Sequence, residues 1–142
     1  TVDPKKTLRK MVELNVSVSQ DRAAAIEFPK RQVSHSILQW EALKFTPEEY
    51  DRLGVKREKV LELKEAYARG ATIEEAASMV TEEMVLNYYV AGRPAEVADQ
   101  IVDLAKKAQV MGYDEIAFAK LGPDYDEAIN MLADSVIPRL RE

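Results

Sequence analysis

The chain has 142 residues, 20 of them Lys or Arg and 25 Asp or Glu, for a net charge of -5. That length supports one domain with a real core, and the acidic balance argues against a general nucleic-acid binder, which needs a basic face. The absence of Cys excludes disulfides, thiolate zinc sites and thiol catalysis, and a single His excludes a multi-histidine metal site.

Residues 1–10 are polar and basic and lead towards a strand. From Met11 to Ser19, Val12, Leu14, Val16 and Val18 alternate with Glu13, Asn15, Ser17 and Ser19. A period of two rich in Val predicts a strand. Its second face is small and polar, which suits a barrel interior, an active-site floor or solvent better than the middle of a two-sided parallel sheet.

Asp21 can cap a helix that begins with Arg22 and three alanines, and Pro29 should kink or split it. The helical pattern resumes through Val33, Ile37, Leu38 and Trp40 and fails at Lys44–Phe45. Thr46–Pro47–Glu48–Glu49 predicts a capped helix that Gly54 ends. A longer helix through Val60, Leu63 and Tyr67 stops at Gly70, a left-handed cap. Thr72 and Thr81 open two further short helices. Residues 84–91 suit either the end of a helix or a short strand, and Tyr88–Ala91 is assigned as extended because Gly92–Arg93–Pro94 follows.

Pro94 to Met111 is an amphipathic helix with Val97, Ile101, Leu104, Ala105 and Ala108 on one face, ended by Gly112. Asp114–Ala119 reads as a strand and Gly122–Pro123–Asp124 as a turn. Asp126 to Leu140 reads as a last helix with Ile129, Leu132, Val136 and Ile137 inward. Strands alternating with helices imply a parallel α/β sheet, helix-rich and short of strands. Such a sheet leaves open edges for another chain or a second copy to cover. No apolar run reaches the ~18 to 20 residues of a membrane span. No leader pattern opens the chain, and a cytoplasmic protein is expected.

Residues 92–138 carry a resemblance. Gly92, Pro94, Glu96 and Val97 open a helix, Gly112, Asp114 and Glu115 open a strand, and Val136, Ile137 and Pro138 close the segment. Together with Asp21–Arg22–Ala23–Ala24–Ala25, this order is similar to the C-terminal end of the bacterial-luciferase-like flavin and deazaflavin oxidoreductases. Leu121–Gly122–Pro123–Asp124 followed by Glu127–Ala128 resembles the branch of methylenetetrahydromethanopterin reductases that use coenzyme F420. Arg93 departs from the family's usual Thr or Ser cap. The resemblance implies the C-terminal portion, about three βα units, of a (β/α)8 TIM barrel. A complete barrel needs about 200 residues or more, so the chain is expected to be a fragment or one half of a split protein, inactive alone.

The resemblance also implies hydride transfer with F420, or alternatively FMN, and a small-molecule substrate held over the coenzyme, without nucleic acid or membrane. Barrel enzymes place chemistry at the C-terminal ends of strands. Ser17, Ser19, Lys120 and Gly122 are therefore the candidate coenzyme-binding residues, and no catalytic or metal-binding residue is assigned. His35, Trp40, Tyr88 and Tyr89 read first as helix-surface or packing residues. The carboxylate pairs Glu48–Glu49, Glu74–Glu75 and Glu82–Glu83 sit where a helix dipole favours negative charge. A competing reading is a noncatalytic α/β association module, and a third is a self-contained small domain of unrelated function.

Overall fold

A computed structural model of the chain describes residues 8–141. The basic opening at residues 1–7 therefore lies outside the described residues. Strand β1 (Met11–Val18) is followed by six helices: α1 (Arg22–Glu27), α2 (Lys30–Ala42), α3 (Pro47–Arg52), α4 (Arg57–Ala68), α5 (Ile73–Ser78) and α6 (Glu82–Tyr88). Then come β2 (Val90–Gly92), α7 (Pro94–Val110), β3 (Glu115–Gly122), α8 (Tyr125–Ser135) and α9 (Ile137–Leu140).

The three strands form one parallel sheet in the order β2-β1-β3. The two full-length strands, β1 and β3, are neighbours. The short β2 pairs with the end of β1 on its other edge, Val16 opposite Val90 and Val18 opposite Gly92. So β1, α7, β3 and α8 make two adjacent strand–helix layers, and α1 to α6 with β2 elaborate the connection between them. This is the helix-rich α/β architecture of a partial barrel.

Alternation along β1 sorts the side chains. Val16 and Val18 join Val97, Ala98 and Ile101 of α7 and Ala128, Leu132 and Val136 in an outer core. The opposite, polar face turns towards the helical unit. A second core there joins Ile26 of α1 to Val33 and Ile37 of α2, Tyr50, Val60 and Leu63, and to Met84, Val85, Tyr89 and Ala91. Trp40 belongs to this layer. Its ring stacks on Phe45 at 5.9 Å between centroids and meets Tyr88 edge-on at 5.3 Å.

The capping signals hold. Thr46 and Thr72 each accept from the backbone N–H three residues on, while Glu49 and Glu75 reach back to the cap N–H. Each such cap contributes about 1 kcal/mol. Arg93 has no acceptor to offer, but Glu96 still accepts from the Arg93 N–H at 2.8 Å, so half of the capping box survives.

Four expectations need correction. Tyr88 closes α6 in a helix, and the strand begins at Val90. The strand read as ending at Ala119 runs on to Gly122. The last helix divides at Val136, because Pro138 has no N–H to continue it. Ile129 is 41% exposed, and the neighbouring Ala128 takes the inward position.

Candidate functional site

The candidate site lies at the C-terminal ends of β1 and β3, where the loop after β1 leads into α1 and the loop after β3 leads into α8. The polar face of β1 delivers Ser17 here, fully buried. Its hydroxyl donates to the Ala25 carbonyl at 2.7 Å. A regular helix would satisfy that carbonyl with the N–H four residues on, but that residue is Pro29, which has none. Ser17 supplies the missing donor and fixes the angle between β1 and the split α1–α2 pair.

Ser19 accepts from the Asp21 N–H at 3.1 Å, and Asp21 accepts from the Ala23 N–H at 2.9 Å. The two together turn the chain from strand into α1. Arg22, next in sequence, clamps the far side of the loop. It reaches Glu82 of α6 at 2.5 Å and Glu96 of α7 at 3.1 Å. The Arg22 guanidinium lowers the Glu82 carboxyl. The Arg93 N–H, followed by Arg22, lowers that of Glu96.

β3 reaches the site through a bulge. Asn15 pairs with Ala119, yet Ser17 pairs with Gly122, so β3 spends one more residue than β1 over the same span. Lys120 carries the irregularity at φ 50°, a left-handed conformation for a residue with a Cβ. Strict alternation would send Lys120 towards the outer core with Phe118. The bulge turns it to the other side, where its Nζ stands 6.0 Å from the Tyr88 ring centroid, while Leu121 packs against the outer core.

Lys120 and Leu121 line a cleft of about 550 Å³ with Phe28, Arg31 and Gln32 of the α1–α2 segment, Ala77 of α5, and Tyr89. Glu27 and Glu74 complete its rim, Glu27 paired with Lys30 at 2.7 Å and Glu74 with Arg31 at 3.2 Å. The floor is apolar, and Lys120 is its unpaired cation among the described residues. Burial pushes the Tyr89 phenol up to about 12, so it stays neutral at physiological pH. Gly122 is buried beneath the Phe28 ring: a Cβ on Gly122 would fall 2.2 Å from a Phe28 ring carbon.

Of the four candidate residues, Lys120 lines the cleft, Ser19 shapes the loop beside it, and Ser17 and Gly122 sit beneath its walls. The sequence reading missed Phe28, Arg31 and Gln32. Their one available signal was the spacing Glu27, Phe28, Arg31, Gln32, a single helical face that continues across Pro29. His35 is exposed on α2, with Gln39 at 3.1 Å. Among the described residues no cluster of three His, Asp or Glu side chains could hold a metal ion, and no helix is long and apolar enough to cross a membrane.

This arrangement, two adjacent parallel strands with polar and cationic groups at their C-terminal ends and a helical layer outside, is that of a partial α/β barrel, a class of fold that places its chemistry at the C-terminal ends of the strands. Comparison with solved structures gives a TM-score of 0.73 and 27% identity to the coenzyme F420-dependent tetrahydromethanopterin reductase from Methanopyrus kandleri, over 93% of this chain and 35% of that one. Among curated proteins, the 5,10-methylenetetrahydromethanopterin reductase of Methanopyrus kandleri (strain AV19) is 28% identical over 127 residues. The chain spans about a third of that relative's length, 34%. No family model matches the chain.

Proposed function

We propose that the chain is the C-terminal, substrate-side part of a coenzyme F420-dependent oxidoreductase of the methylenetetrahydromethanopterin reductase kind, and that the complete barrel performs the reaction. The observation that carries this reading is the bulge that turns Lys120 into the cleft at the strand ends. The name of the similar reductase supplies the cofactor, and F420 is preferred to FMN on that ground.

The cleft fits part of such a ligand. Its Phe28, Tyr89 and Leu121 walls suit a flat ring, and the unpaired ammonium of Lys120 suits an anionic group. The bound deazaflavin would supply the hydride acceptor or donor. The chain's own share is orientation and electrostatics. Lys120 holds the anionic end, and Ser19 offers a hydroxyl at the mouth of the loop. Ser17 and Gly122 act beneath them as positioning residues, one holding α1 in place and the other admitting the Phe28 ring. Tyr89, neutral and buried, keeps water from the cleft floor. The open sheet edges belong against the remaining strands of a barrel.

Fluorescence titration of the chain with coenzyme F420, with FMN as comparator, tests this. Micromolar binding of F420 that Lys120→Ala weakens about tenfold, roughly 1.4 kcal/mol, is the expected result. A chain that binds neither coenzyme is instead a noncatalytic association module.

A further inference from the structure

We infer that Asn15 is a specificity-determining residue of the cleft: its side-chain oxygen accepts a hydrogen bond from the ring N–H of a flat cyclic amide bound beside Lys120. The inference deepens the oxidoreductase reading and rests on it for the identity of the ring.

Asn15 lies on the polar face of β1, between Glu13 and Ser17. Its Oδ1 is buried and meets no hydrogen-bond donor among the described residues. A buried acceptor left empty is costly. The neighbouring donors are committed elsewhere. The Ser17 hydroxyl is spent on the Ala25 carbonyl at 2.7 Å. Gln100 donates to the Ala91 and Glu96 carbonyls, each at 3.2 Å. Across the sheet, Glu13 is paired with Ala117 and Asn15 with Ala119, whose methyls carry no polar atom and leave room over the two strands.

The register puts this acceptor next to the cation. Lys120 follows Ala119, and the bulge turns it to the face that Asn15 occupies. Tyr88 stands beside both. Lys120 Nζ lies 6.0 Å from its ring centroid, and Asn15 and Tyr88 line one cavity of about 550 Å³. Tyr89 lines that cavity and the Lys120 cleft alike, so the two share a wall. The Tyr88 ring is held in place from the cleft side. Gln32 donates to Ser36 at 3.3 Å, and Ser36 donates to the Tyr88 hydroxyl at 3.1 Å.

The chemistry of Asn15 and Lys120 defines the ligand. A carboxamide carries an acceptor next to a donor, the complement of a ring amide, in which an N–H stands beside a C=O. An ionised carboxylate or phosphate has no proton to give Oδ1. Lys120 therefore recognises charge, and Asn15 recognises the ring. The deazaflavin of F420 and the reduced pterin of tetrahydromethanopterin both carry such a ring amide, and they form the two arms of the test.

Each ring is titrated against the chain as itself and as its analogue methylated at the ring N–H, F420 by fluorescence and tetrahydromethanopterin by calorimetry. Methylation is expected to weaken binding to the unaltered chain about tenfold in at least one arm, which identifies the ring that Asn15 reads. Asn15→Leu should weaken the parent ring by the same factor and bind the parent and methylated rings equally. Its urea midpoint should hold or rise, since an apolar group of similar size replaces an acceptor that nothing satisfied. The comparison of rings on the unaltered chain needs no variant to fold. The inference is overturned by methylation without effect in both arms, or by an Asn15→Leu chain that binds the parent ring undiminished or still prefers it to the methylated one. A variant that loses stability and binding together overturns it as well. Failure of both parent rings to bind the unaltered chain removes the inference and the oxidoreductase reading alike. Binding that is indifferent to Asn15 removes the inference alone.

Discussion

Ser17 does for the Ala25 carbonyl what Pro29 cannot: its hydroxyl donates at 2.7 Å where a helix would have placed a backbone N–H. Strand and helix kink are thereby coupled through one buried hydrogen bond. Ser17→Ala should cost about 1–3 kcal/mol, the usual penalty for leaving a buried acceptor empty. In a Pro29→Ala background the helix regains its own donor, so the same substitution should cost clearly less. Urea unfolding of the four proteins measures this coupling. Equal costs in both backgrounds would show that the hydroxyl merely fills space.

Gly122 and Phe28 make the second pair. With a Cβ placed 2.2 Å from the ring, Gly122→Ala should cost about 1–3 kcal/mol, in the range of overpacking. Phe28 is 41% exposed and can swing away, so the lower half of that range is expected. Phe28→Ala should remove most of the penalty when combined with Gly122→Ala. Additive effects in thermal unfolding would place the strain elsewhere.

At Lys120, stability and binding should separate. A non-glycine residue in the left-handed region costs about 1–2 kcal/mol, so Lys120→Gly should leave the fold as stable or firmer. The same substitution removes the cleft's unpaired cation and should lower affinity for an anionic ligand as much as Lys120→Ala does. A protein that loses stability and binding together would contradict the assigned conformation.

The pH profile follows from the shifted groups. Glu41 is held low by the Lys64 ammonium and then by the Tyr50 hydroxyl, and Glu82 and Glu96 are held low as described. Folded pKa values below the unfolded ones mean that the unfolded chain binds more protons in acid. Stability from these carboxylates is present above the unfolded value of 4.5 and is lost as pH falls through the folded values. At the alkaline end, Tyr50 is pushed up to about 12, first by burial and then by its hydrogen bond to Glu41, and Tyr89 to a similar value by burial. Their stabilisation is complete below pH 10 and drains away towards pH 12, by up to ~2–3 kcal/mol for each tyrosine. Denaturation midpoints from pH 3 to 12 should give a plateau with both shoulders. Tyr50→Phe should flatten part of the alkaline one.

The sequence made the scaffold legible where local chemistry decides it. Alternation in Met11–Val18, the caps at Thr46, Thr72 and Thr81, and the split at Pro29 each rest on neighbours within a few residues. The site was less legible because its parts are made by pairing. Nothing in Ala119–Lys120–Leu121 marks a bulge: the left-handed position carries Lys, where Gly or Asn would have been the signal. Phe28 and Arg31 meet Lys120 only after β3 has docked beside β1. Ile129 was misread because its helical spacing suits burial, while the surface facing it is not covered by the described residues.

The bulge in β3 frees two demands that an ordinary strand ties together. A regular zigzag commits each side chain to the same side as the residue two before it, so a cation at the cleft and a leucine in the packing layer would have to obey a fixed parity. One additional residue breaks that parity at the last moment. A β3 that kept Ala119 but ran as a plain zigzag would exchange their duties, sending the ammonium into hydrocarbon and the leucine into water, whereas deleting Ala119 would absorb the extra residue and leave both on their present sides.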